Sequence, residues 1–178
     1  MKASVFIATS LDGFIARVDG SIDWLPHGEP DDPTQDYGFG HFMKSVDALV
    51  MGRGTFDKVL AFSTWPYGKK PVIVLTHRPL TMPKHKDARV EVMSGDLPEI
   101  VRSIEARGLH HIYVDGGRTI QSFLRSNLID AVTITRIPVL IGKGIPLFGP
   151  LETDIPFEHK RTRSFKSGFV QSEYAVKR

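Results

Sequence analysis

The sequence predicts an α/β fold in which a mainly parallel sheet carries helices on both faces. Short runs rich in Val and Ile, such as residues 72–76 (VIVLT) and 111–114 (HIYV), have the length and composition of buried strands. Segments with the 3.6-residue spacing of amphipathic helices lie between these runs. Strands that alternate with helices in this way form parallel sheets, because each helix carries the chain back across a face of the sheet.

The candidate strands and helices alternate along the whole chain. The predicted strands are residues 5–9, 48–51, 72–76, 90–93, 111–114, 131–137 and 169–176. The last of them alternates polar and apolar residues, so we expect it in an edge hairpin. The predicted helices lie around residues 39–46, over residues 55–61, after Asp96 and after Gly117.

The helix after Asp96 has the clearest boundaries. Asp96 followed by Glu99 has the spacing of a capping box, and Pro98 suits the first turn of a helix. Gly108 follows Arg107 and predicts the end of the helix. The helix after Gly117 is expected to turn its large apolar side chains inward, namely Ile120, Phe123 and Leu124.

Composition limits the possible functions. The 178 residues predict a single domain over residues 1–178, and the absence of cysteine excludes disulfides and thiolate chemistry. No apolar run approaches the length of a membrane span, so we expect a cytoplasmic protein without a membrane partner. The net charge of +3 favours an anionic ligand. The basic runs at 84–86 and 159–163 are interpreted as solvated surface, so no nucleic-acid partner is predicted. No metal site is predicted either.

Two strand ends are marked by glycine and arginine. Gly52 and Arg53 follow the strand at 48–51, and Gly116-Gly117-Arg118 follows the strand at 111–114. A helix N-terminus offers free N–H groups and a partial positive charge to a phosphate, and an arginine can bind phosphate through two N–H groups. One such junction is more often only a tight turn. Two of them in a small protein suggest a diphosphate that is held from both sides.

The spacing of these glycines excludes two common nucleotide motifs. The chain has neither the G-x-G-x-x-G pattern of a Rossmann domain nor the G-x-x-x-x-G-K-[ST] pattern of a P-loop. A third element, His77-Arg78, follows the strand at 72–76. Arg53, Arg78 and Arg118 are predicted to converge on an adenosine 2′-phosphate, which would select NADP over NAD. Alternatively, Arg78-Pro79 simply begins a solvent loop.

Six segments together carry a family resemblance. They are IATSLDGFIA (7–16), WLP (24–26), VMGRGTF (50–56), VIVLTHRP (72–79), VDGGRTIQSFL (114–124) and TRIPVLIGKGIPLF (135–148). In their order and spacing the chain resembles the dihydrofolate reductase superfamily, most of all the riboflavin-biosynthesis reductases of the RibD C-terminal type. The resemblance implies a three-layer fold with a mixed, mostly parallel sheet of about eight strands. It also implies NADPH across the carboxyl ends of the strands and a homodimer.

The resemblance assigns a cofactor role to residues at four strand ends. Ala8 and Ile15 would hold the nicotinamide carboxamide through their backbone. The diphosphate and the 2′-phosphate edge would lie on Gly52, Arg53, Gly54 and Thr55. The adenosine would be flanked by Thr76, His77 and Arg78. The opposite helix would hold the diphosphate through Gly116, Gly117, Arg118 and Thr119, with Ile120 beside them.

The substrate side of the cleft is predicted less fully. Counting back from Gly52, Asp36 falls where dihydrofolate reductases keep their substrate carboxylate, and Trp24 and Thr135 complete the predicted substrate site. We expect burial beside a helix to raise the pKa of Asp36 and make it the proton donor. The alternative is that Asp36 only complements the helix dipole. Asp12 and Lys143 are interpreted as turn and loop residues.

The sequence therefore predicts an NADPH-dependent reductase that acts on a pterin-like or pyrimidine-like heterocycle. The resemblance suggests activity like that of 5-amino-6-(5-phosphoribosylamino)uracil reductase or dihydrofolate reductase. Two alternatives stay open. One is a non-catalytic NADP(H)-binding module of the same fold, since no proton donor is obvious. The other is nucleic-acid binding through the basic C-terminal hairpin, which would be sensitive to salt.

Overall fold

One eight-stranded sheet organises the protein. The computed structural model describes residues 1–26, 32 and 34–178. The elements in chain order are β1 (Lys2–Thr9), β2 (Phe14–Ala16), α1 (Phe39–Ser45), β3 (Ala48–Gly52), α2 (Arg53–Leu60), β4 (Pro71–Leu75), β5 (Arg89–Met93), α3 (Leu97–Ala106), β6 (His111–Asp115), α4 (Gly117–Arg125), β7 (Ala131–Arg136), β8 (Ile145–Pro146), β9 (Phe157–Ser164) and β10 (Val170–Val176).

The sheet is mostly parallel, as the sequence predicts. Its strand order is β5-β4-β3-β6-β1-β7-β10-β9. The first six strands are parallel to one another, and β10 is antiparallel to both β7 and β9. The short strands β2 and β8 pair separately. Because the parallel strands all end at one edge of the sheet, that edge collects the predicted site residues.

The apolar side chains of each central strand pack alternately into two hydrophobic cores on opposite faces of the sheet. Along β3, Ala48 and Val50 face the core under α3 and α4, whereas Leu49 and Met51 face the core under α1 and α2. Successive side chains of a strand point to opposite faces, so a strand covered by helices on both sides is apolar throughout. This explains why the central strands read as continuous apolar runs.

The helices turn the residues that the periodicity predicts toward the sheet. On α1, Phe39 and Phe42 pack against Phe6 of β1, and Phe42 stacks on the Phe6 ring with 5.0 Å between centroids. On α4, Ile120 and Phe123 are completely buried on the opposite face of the sheet. The two layers of helices therefore hold the sheet from both sides.

One predicted cap is wrong. Asp96 is the N-cap residue of α3, but its side chain accepts no hydrogen bond from the helix, so the capping box with Glu99 is not formed. Only the Asp96 backbone oxygen takes part, accepting from the N–H of Ile100 at 3.0 Å. Pro98 lies in the first turn, and Gly108 follows the helix with φ of +79°, both as predicted.

The C-terminal hairpin lies at the edge of the sheet, as predicted, but its outer strand β9 is absent from the predicted strands. β10 lies inside the sheet, and the edge strand is β9, whose residues are almost all exposed. Because the sequence of β9 is polar, it has no apolar pattern by which a strand could be predicted. Its basic side chains are paired, Lys160 with Glu158 at 2.6 Å and Arg161 with Glu173 at 2.6 Å. Charged side chains suit an open edge because they discourage pairing with another strand.

None of the helices in the described ranges combines the length and the apolar character needed to cross a lipid bilayer.

Candidate functional site

The two glycine-marked strand ends lie side by side. β3 and β6 are adjacent parallel strands, and Met51 is the partner of Asp115 in their register. Gly52 is the N-cap residue of α2, and Gly116 is the N-cap residue of α4. The two junctions that the sequence predicted to act together are therefore neighbours at the carboxyl edge of the sheet.

Each junction places its glycine against the threonine of the other. A Cβ atom on Gly116 would lie 2.2 Å from Oγ1 of Thr55, and a Cβ atom on Gly52 would lie 2.9 Å from Oγ1 of Thr119. Gly116 also has φ of +89°, which non-glycine residues rarely adopt. We call these four residues the glycine–threonine clasp. The group that approaches each glycine most closely is therefore a threonine side chain of the other junction.

The clasp leaves two helix N-termini available to an anion. Neither α2 nor α4 has a side-chain cap or an acidic residue in its first turn, and each has an arginine there, Arg53 or Arg118. Gly54 has open space where a side chain would stand. Uncapped N–H groups, two helix dipoles and two guanidinium groups form a donor set that fits a diphosphate.

The small β2–β8 sheet brings the predicted nicotinamide residue to the same place. A Cβ atom on Gly117 would lie 3.0 Å from the carbonyl oxygen of Pro146 and 3.1 Å from Cδ1 of Ile15. Ala8, the other predicted nicotinamide residue, is on β1 opposite Thr135 of β7. The structure thus joins these positions along one edge of the sheet.

One predicted cofactor residue does not reach the cleft. Ile120 is completely buried in the core beneath α4. It belongs to the inward face of the helix, so its side chain anchors α4 to the sheet instead of contacting a cofactor. The prediction that Ile120 lies beside the cofactor is therefore corrected.

Arg53 is already held in place at the outer end of the cleft. Its Nε–H is 3.1 Å from each carboxylate oxygen of Asp57, and its Nη1 donates to the carbonyl oxygen of Pro79 at 2.7 Å. Arg53 therefore ties α2 to the loop after β4 and keeps its Nη2 N–H groups for a ligand.

The loop after β4 carries the remaining predicted adenosine residues. Oγ1 of Thr76 accepts the backbone N–H of Arg78 at 3.1 Å, which forms a tight polar turn. His77 and Arg78 are both exposed. Arg78 and Arg118 make no ion pair with any residue that the structure describes. Their charge is available at the mouth of the cleft.

Asp36 does not have the expected buried position. Its carboxylate is exposed, with Oδ1 accepting the N–H of Gly38 and Oδ2 accepting the N–H of Gly40, both at 2.8 Å. α1 begins only at Phe39, so Asp36 precedes the helix and cannot share its buried face. The expected burial is corrected, and the contacts of Asp36 are those of a residue that stabilises the start of a helix.

Thr135, a second predicted substrate residue, lies on the α1 side of the sheet. Thr135 of β7 is buried, and its Oγ1 accepts from Nε2 of Gln171 at 2.9 Å. The same Nε2 donates to the carbonyl oxygen of Tyr37 at 3.0 Å. Gln171 thereby joins Thr135 to the segment that holds Asp36.

Trp24 carries a buried donor without an acceptor. Its indole Nε1 is the one buried side-chain polar atom of the described residues that has no hydrogen-bond partner. A buried N–H without a partner is unfavourable, since its hydration is lost without replacement. This donor therefore suits a ligand that brings a hydrogen-bond acceptor.

The structure reveals an acid that the sequence interpretation passed over. Asp115 ends β6 and is half-buried, on the same face of the strand as Tyr113. Burial raises the pKa of Asp115 to about 6, although the N–H of Gly116 donates to its Oδ1 at 2.7 Å. The signal was a carboxylate directly after a buried apolar run and directly before the two glycines.

Asp12 and Lys143 have the structural roles predicted for them. Ser10 donates to Asp12 at 2.6 Å within the turn after β1, and the N–H of Gly142 donates to its other oxygen at 2.8 Å. Asp12 therefore also connects this turn to the loop before β8. Lys143 is exposed in that loop. The described residues contain no cluster of His, Asp and Glu that would hold a metal ion.

Comparison with known proteins agrees with this geometry. The model of the RibD C-terminal domain family matches residues 2–171. The chain belongs to this family. A solved structure of a candidate riboflavin biosynthesis protein from Shewanella sp. PV-4 is 43% identical to it, with a TM-score of 0.91 and complete coverage of both chains.

Two more distant structures show the same fold for this RibD C-terminal domain. A diaminohydroxyphosphoribosylaminopyrimidine deaminase/5-amino-6-(5-phosphoribosylamino)uracil reductase of Thermotoga maritima is 18% identical, with a TM-score of 0.79 over 99% of this chain and 56% of that one. Dihydrofolate reductase from Enterococcus faecalis, complexed with NADP(H), is 17% identical, with a TM-score of 0.65 over 99% and 97% of the two chains. The predicted dihydrofolate reductase-like fold is confirmed.

The close approach in the glycine–threonine clasp predicts that a side chain at Gly116 destabilises the domain. Gly116→Ala should lower the free energy of unfolding by about 3 kcal/mol, from the positive φ and from the overlap with Thr55. Gly108→Ala is the matched control, since it has a positive φ and open space around it. It should cost only about 1–2 kcal/mol. Urea denaturation measures both values.

A double-mutant cycle isolates the contact with Thr55. Combining Gly116→Ala with Thr55→Ala should recover about 1 kcal/mol relative to the sum of the two single variants. Strict additivity of the two substitutions would show that the glycine does not depend on the threonine hydroxyl.

Proposed function

We propose that the protein is an NADPH-dependent reductase that transfers a hydride to a pterin-like or pyrimidine-like heterocycle. One observation carries the proposal. Two adjacent strand ends meet at the glycine–threonine clasp, and each presents an uncapped helix N-terminus with an arginine at the carboxyl edge of a parallel sheet. That arrangement suits the diphosphate of a dinucleotide better than any single phosphate, because it binds from two sides.

Different parts of the carboxyl edge of the sheet would bind different parts of the cofactor. The first turns of α2 and α4 hold the diphosphate, with Arg118 supplying charge from one side. Ile15 and Ala8 lie where the strand ends meet the β2–β8 sheet, and they orient the nicotinamide ring. When bound, NADPH supplies the hydride.

The choice of NADPH over NADH rests on the outer end of the cleft. Arg53 is fixed by Asp57 and by the carbonyl of Pro79, so its Nη2 edge is oriented before a ligand arrives. Arg78 adds a second free guanidinium at the neighbouring loop. A 2′-phosphate placed between them would receive charge-assisted hydrogen bonds that NADH cannot accept.

Hydride transfer to a C=N or C=O group requires a proton, and Asp115 is the best placed acid. Its carboxyl group is half-buried at the strand end between the two halves of the cleft, and burial raises its pKa to about 6. A protonated Asp115 donates to the ring atom that gains electrons, and the N–H of Gly116 then stabilises the carboxylate that remains. Solvent restores the proton at the exposed edge.

The proposed substrate class is supported by the Trp24 donor and by family membership. Trp24 offers an indole N–H that needs an acceptor, and a pterin or aminouracil ring presents carbonyl and ring-nitrogen acceptors. Membership of the RibD C-terminal family supports a ribosylaminopyrimidine such as 5-amino-6-(5-phosphoribosylamino)uracil, and the fold supports dihydrofolate as the second substrate to test. We place this activity in the cytoplasm, where reduced NADPH is available.

A panel assay of NADPH oxidation tests the proposal. We expect turnover with the ribosylaminopyrimidine, with dihydrofolate or with a simple pterin. Asp115→Asn should lower kcat by about 10²- to 10⁴-fold, the usual contribution of a general acid. Since the protonated form is active, kcat of the unmodified protein should fall as pH rises through about 6.

Asp36→Asn is the matched control in this assay. It keeps the volume of a carboxyl group but weakens the contacts with Gly38 and Gly40, so its effect should be on stability, with kcat changed by less than about threefold. A large loss in Asp36→Asn with little loss in Asp115→Asn would restore Asp36 as the proton donor. Tight NADPH binding without turnover on any compound would favour the non-catalytic module.

Arg53→Ala tests the cofactor preference. The loss of one charge-assisted contact, worth about 1.5–3 kcal/mol, should weaken NADPH binding by about 10- to 100-fold and leave NADH binding nearly unchanged. Isothermal titration with both cofactors measures the difference. Arg118→Ala serves as the comparison, because it should weaken both cofactors alike. Equal losses in Arg53→Ala would remove Arg53 from the 2′-phosphate.

We also propose that the protein is a homodimer. The support from this structure is a groove of ≈ 290 Å³ on the face of β7, β10 and β9, with a mainly apolar lining: Val132, Ile134, Phe148, Phe157, Val170 and Tyr174. A contiguous apolar surface of this kind is typical of an interface.

Analytical ultracentrifugation tests the dimer. Val170→Glu should raise the dimer dissociation constant by at least about 10-fold, because a charge would be buried in the groove. Val92→Glu, at a similarly exposed position on the opposite edge strand β5, should leave the dimer unchanged. A monomeric parent protein, or equal effects of the two substitutions, would contradict this interface.

A further inference from the structure

Four side chains form a row along the carboxyl edge of the sheet. Ala8 of β1 is the register partner of Thr135 on β7, which is in turn the partner of Gln171 on β10. Gln171 is the partner of Arg163 on the outer strand β9. Because register partners present their side chains to the same face of a sheet, the four side chains are neighbours on the α1 side. The row therefore runs from the exposed Arg163 through two buried residues to the half-buried Ala8.

The orientation of the buried Gln171 amide is fixed by two of its partners. A guanidinium group can only donate a hydrogen bond, and a backbone carbonyl can only accept one. Nη2 of Arg163 donates to Oε1 of Gln171 at 2.7 Å, and Nε2 of Gln171 donates to the carbonyl oxygen of Tyr37 at 3.0 Å. Exchanging Oε1 and Nε2 would break both hydrogen bonds. The second N–H of Nε2 is therefore the donor toward Oγ1 of Thr135, which lies 2.9 Å away.

The hydroxyl group of Thr135 must then accept from Gln171. The amide nitrogen has no lone pair to offer, so the hydroxyl proton of Thr135 points away from it. Within residues 1–26, 32 and 34–178, Gln171 is the one hydrogen-bond partner of Oγ1. The next side chain of the row, Ala8, is apolar. A buried hydroxyl proton without an acceptor is unfavourable, so this position suits a ligand that brings one.

We propose that Gln171 is a positioning residue that turns the hydroxyl proton of Thr135 toward the cleft, so that the heterocycle must place a carbonyl oxygen against Thr135. The inference rests on the proposed function, because it specifies which edge of the substrate that site accepts. Hydrogen-bond donors then point in one direction along the whole row, from Arg163 to the ligand. An amino group at this place would meet a second donor, and neither group would find an acceptor.

The depth of Thr135 favours a carbonyl oxygen over a ring nitrogen as the acceptor. Thr135 is 5% exposed, so an atom that projects from the ring reaches its hydroxyl group more readily than an atom within the ring. A carbonyl oxygen of a pyrimidine or a pterin projects in this way. The row therefore distinguishes a ring that carries a carbonyl group at this position from the same ring with an amino group there.

Arg163 gives the row a fixed charge at its outer end. Its guanidinium carbon lies 5.9 Å from the ring centroid of Phe165, and its Nη2 is 3.5 Å from Oε1 of Glu173. A positive charge at one end of a hydrogen-bonded chain polarises each donor that follows. The guanidinium, amide and hydroxyl groups do not titrate near neutral pH. The direction of the row is therefore the same at any pH at which the reaction runs.

Neutron diffraction from crystals of the ligand-free protein, exchanged into heavy water, tests the orientation directly. We expect two deuterons on Nε2 of Gln171, directed at the Tyr37 carbonyl and at Thr135. The hydroxyl deuteron of Thr135 should point away from Gln171. A Thr135 deuteron directed at Gln171 would overturn the proposal, as would an amide in the opposite orientation.

Isothermal titration of the NADPH-loaded protein tests the substrate edge with two probes. 5,6-Diaminouracil carries carbonyl oxygens at both positions where 2,4,5,6-tetraaminopyrimidine carries amino groups, so the comparison does not depend on which position faces Thr135. We expect the uracil to bind at least about 10-fold more tightly at about pH 8, where both probes are uncharged. Thr135→Val removes the hydroxyl group at nearly constant volume and should reduce the preference to less than about threefold, whereas Thr135→Ser should keep it.

Gln171→Met tests the positioning role. It frees the Thr135 hydroxyl to rotate, so the preference should again fall below about threefold. The ratio of the two affinities is the readout, because a merely structural loss weakens both probes alike. Thr133→Val is the matched control, since it removes a threonine hydroxyl from the same face of β7 outside the row, and it should leave the ratio unchanged.

The outcomes separate this inference from the proposed function. Equal affinity for the two probes in the unmodified protein would overturn the inference, as would a preference that survives in Thr135→Val. A loss of NADPH affinity in Thr135→Val with an unchanged ratio would assign the hydroxyl proton to the cofactor and contradict the inference too. If the deuterons lie as expected but neither pyrimidine binds and no heterocycle is reduced, the orientation of the row is supported and the proposed function fails.

Discussion

The contact between two glycines and two threonines governs the geometry of the cleft. β3 and β6 are neighbours, so the helices that follow them must begin within a few ångströms of each other. Each helix start resolves the crowding with a glycine that leaves room for the hydroxyl group of the other. The spacing and direction of both helix N-termini follow from this contact. A ligand that binds both N-termini meets two helix starts whose separation is already set, so little ordering is needed on binding.

The charged side chains at this edge of the sheet differ in how fully they are hydrogen-bonded. Arg53 is held by Asp57 and by the Pro79 carbonyl, and Asp36 is held by two backbone N–H groups. Both side chains are charged and near the edge, but only Arg53 keeps donors directed outward. Asp115 is different, because its surroundings disfavour its charge. Because its pKa is raised to about 6, this carboxyl group can carry a proton close to neutral pH.

Much of the fold could be predicted from the sequence, because the central strands are buried on both faces and therefore appear as continuous apolar runs. The junctions at Gly52 and Gly116 were found for the same reason, since glycine next to such a run is conspicuous. β9 was missed because an exposed edge strand has no apolar pattern. Asp115 was missed because a carboxylate beside two glycines is easily taken for a turn residue, and burial shows only in three dimensions. Asp36 was expected in a helix that begins three residues later.

The Gln171 amide joins β10 to Thr135 and to the Tyr37 carbonyl. It belongs to a part of the protein whose contacts differ in kind from those at the two helix starts. The half that contains the glycine–threonine clasp is built from two helix starts that approach each other closely. In the other half, β10 pairs with β7 over six residues, and the segment before α1 meets the hairpin through the Gln171 amide and through the Tyr37 ring on Phe165 and Phe169. Substitutions in these side-chain contacts would reshape the α1 side of the cleft and leave the two helix starts unchanged.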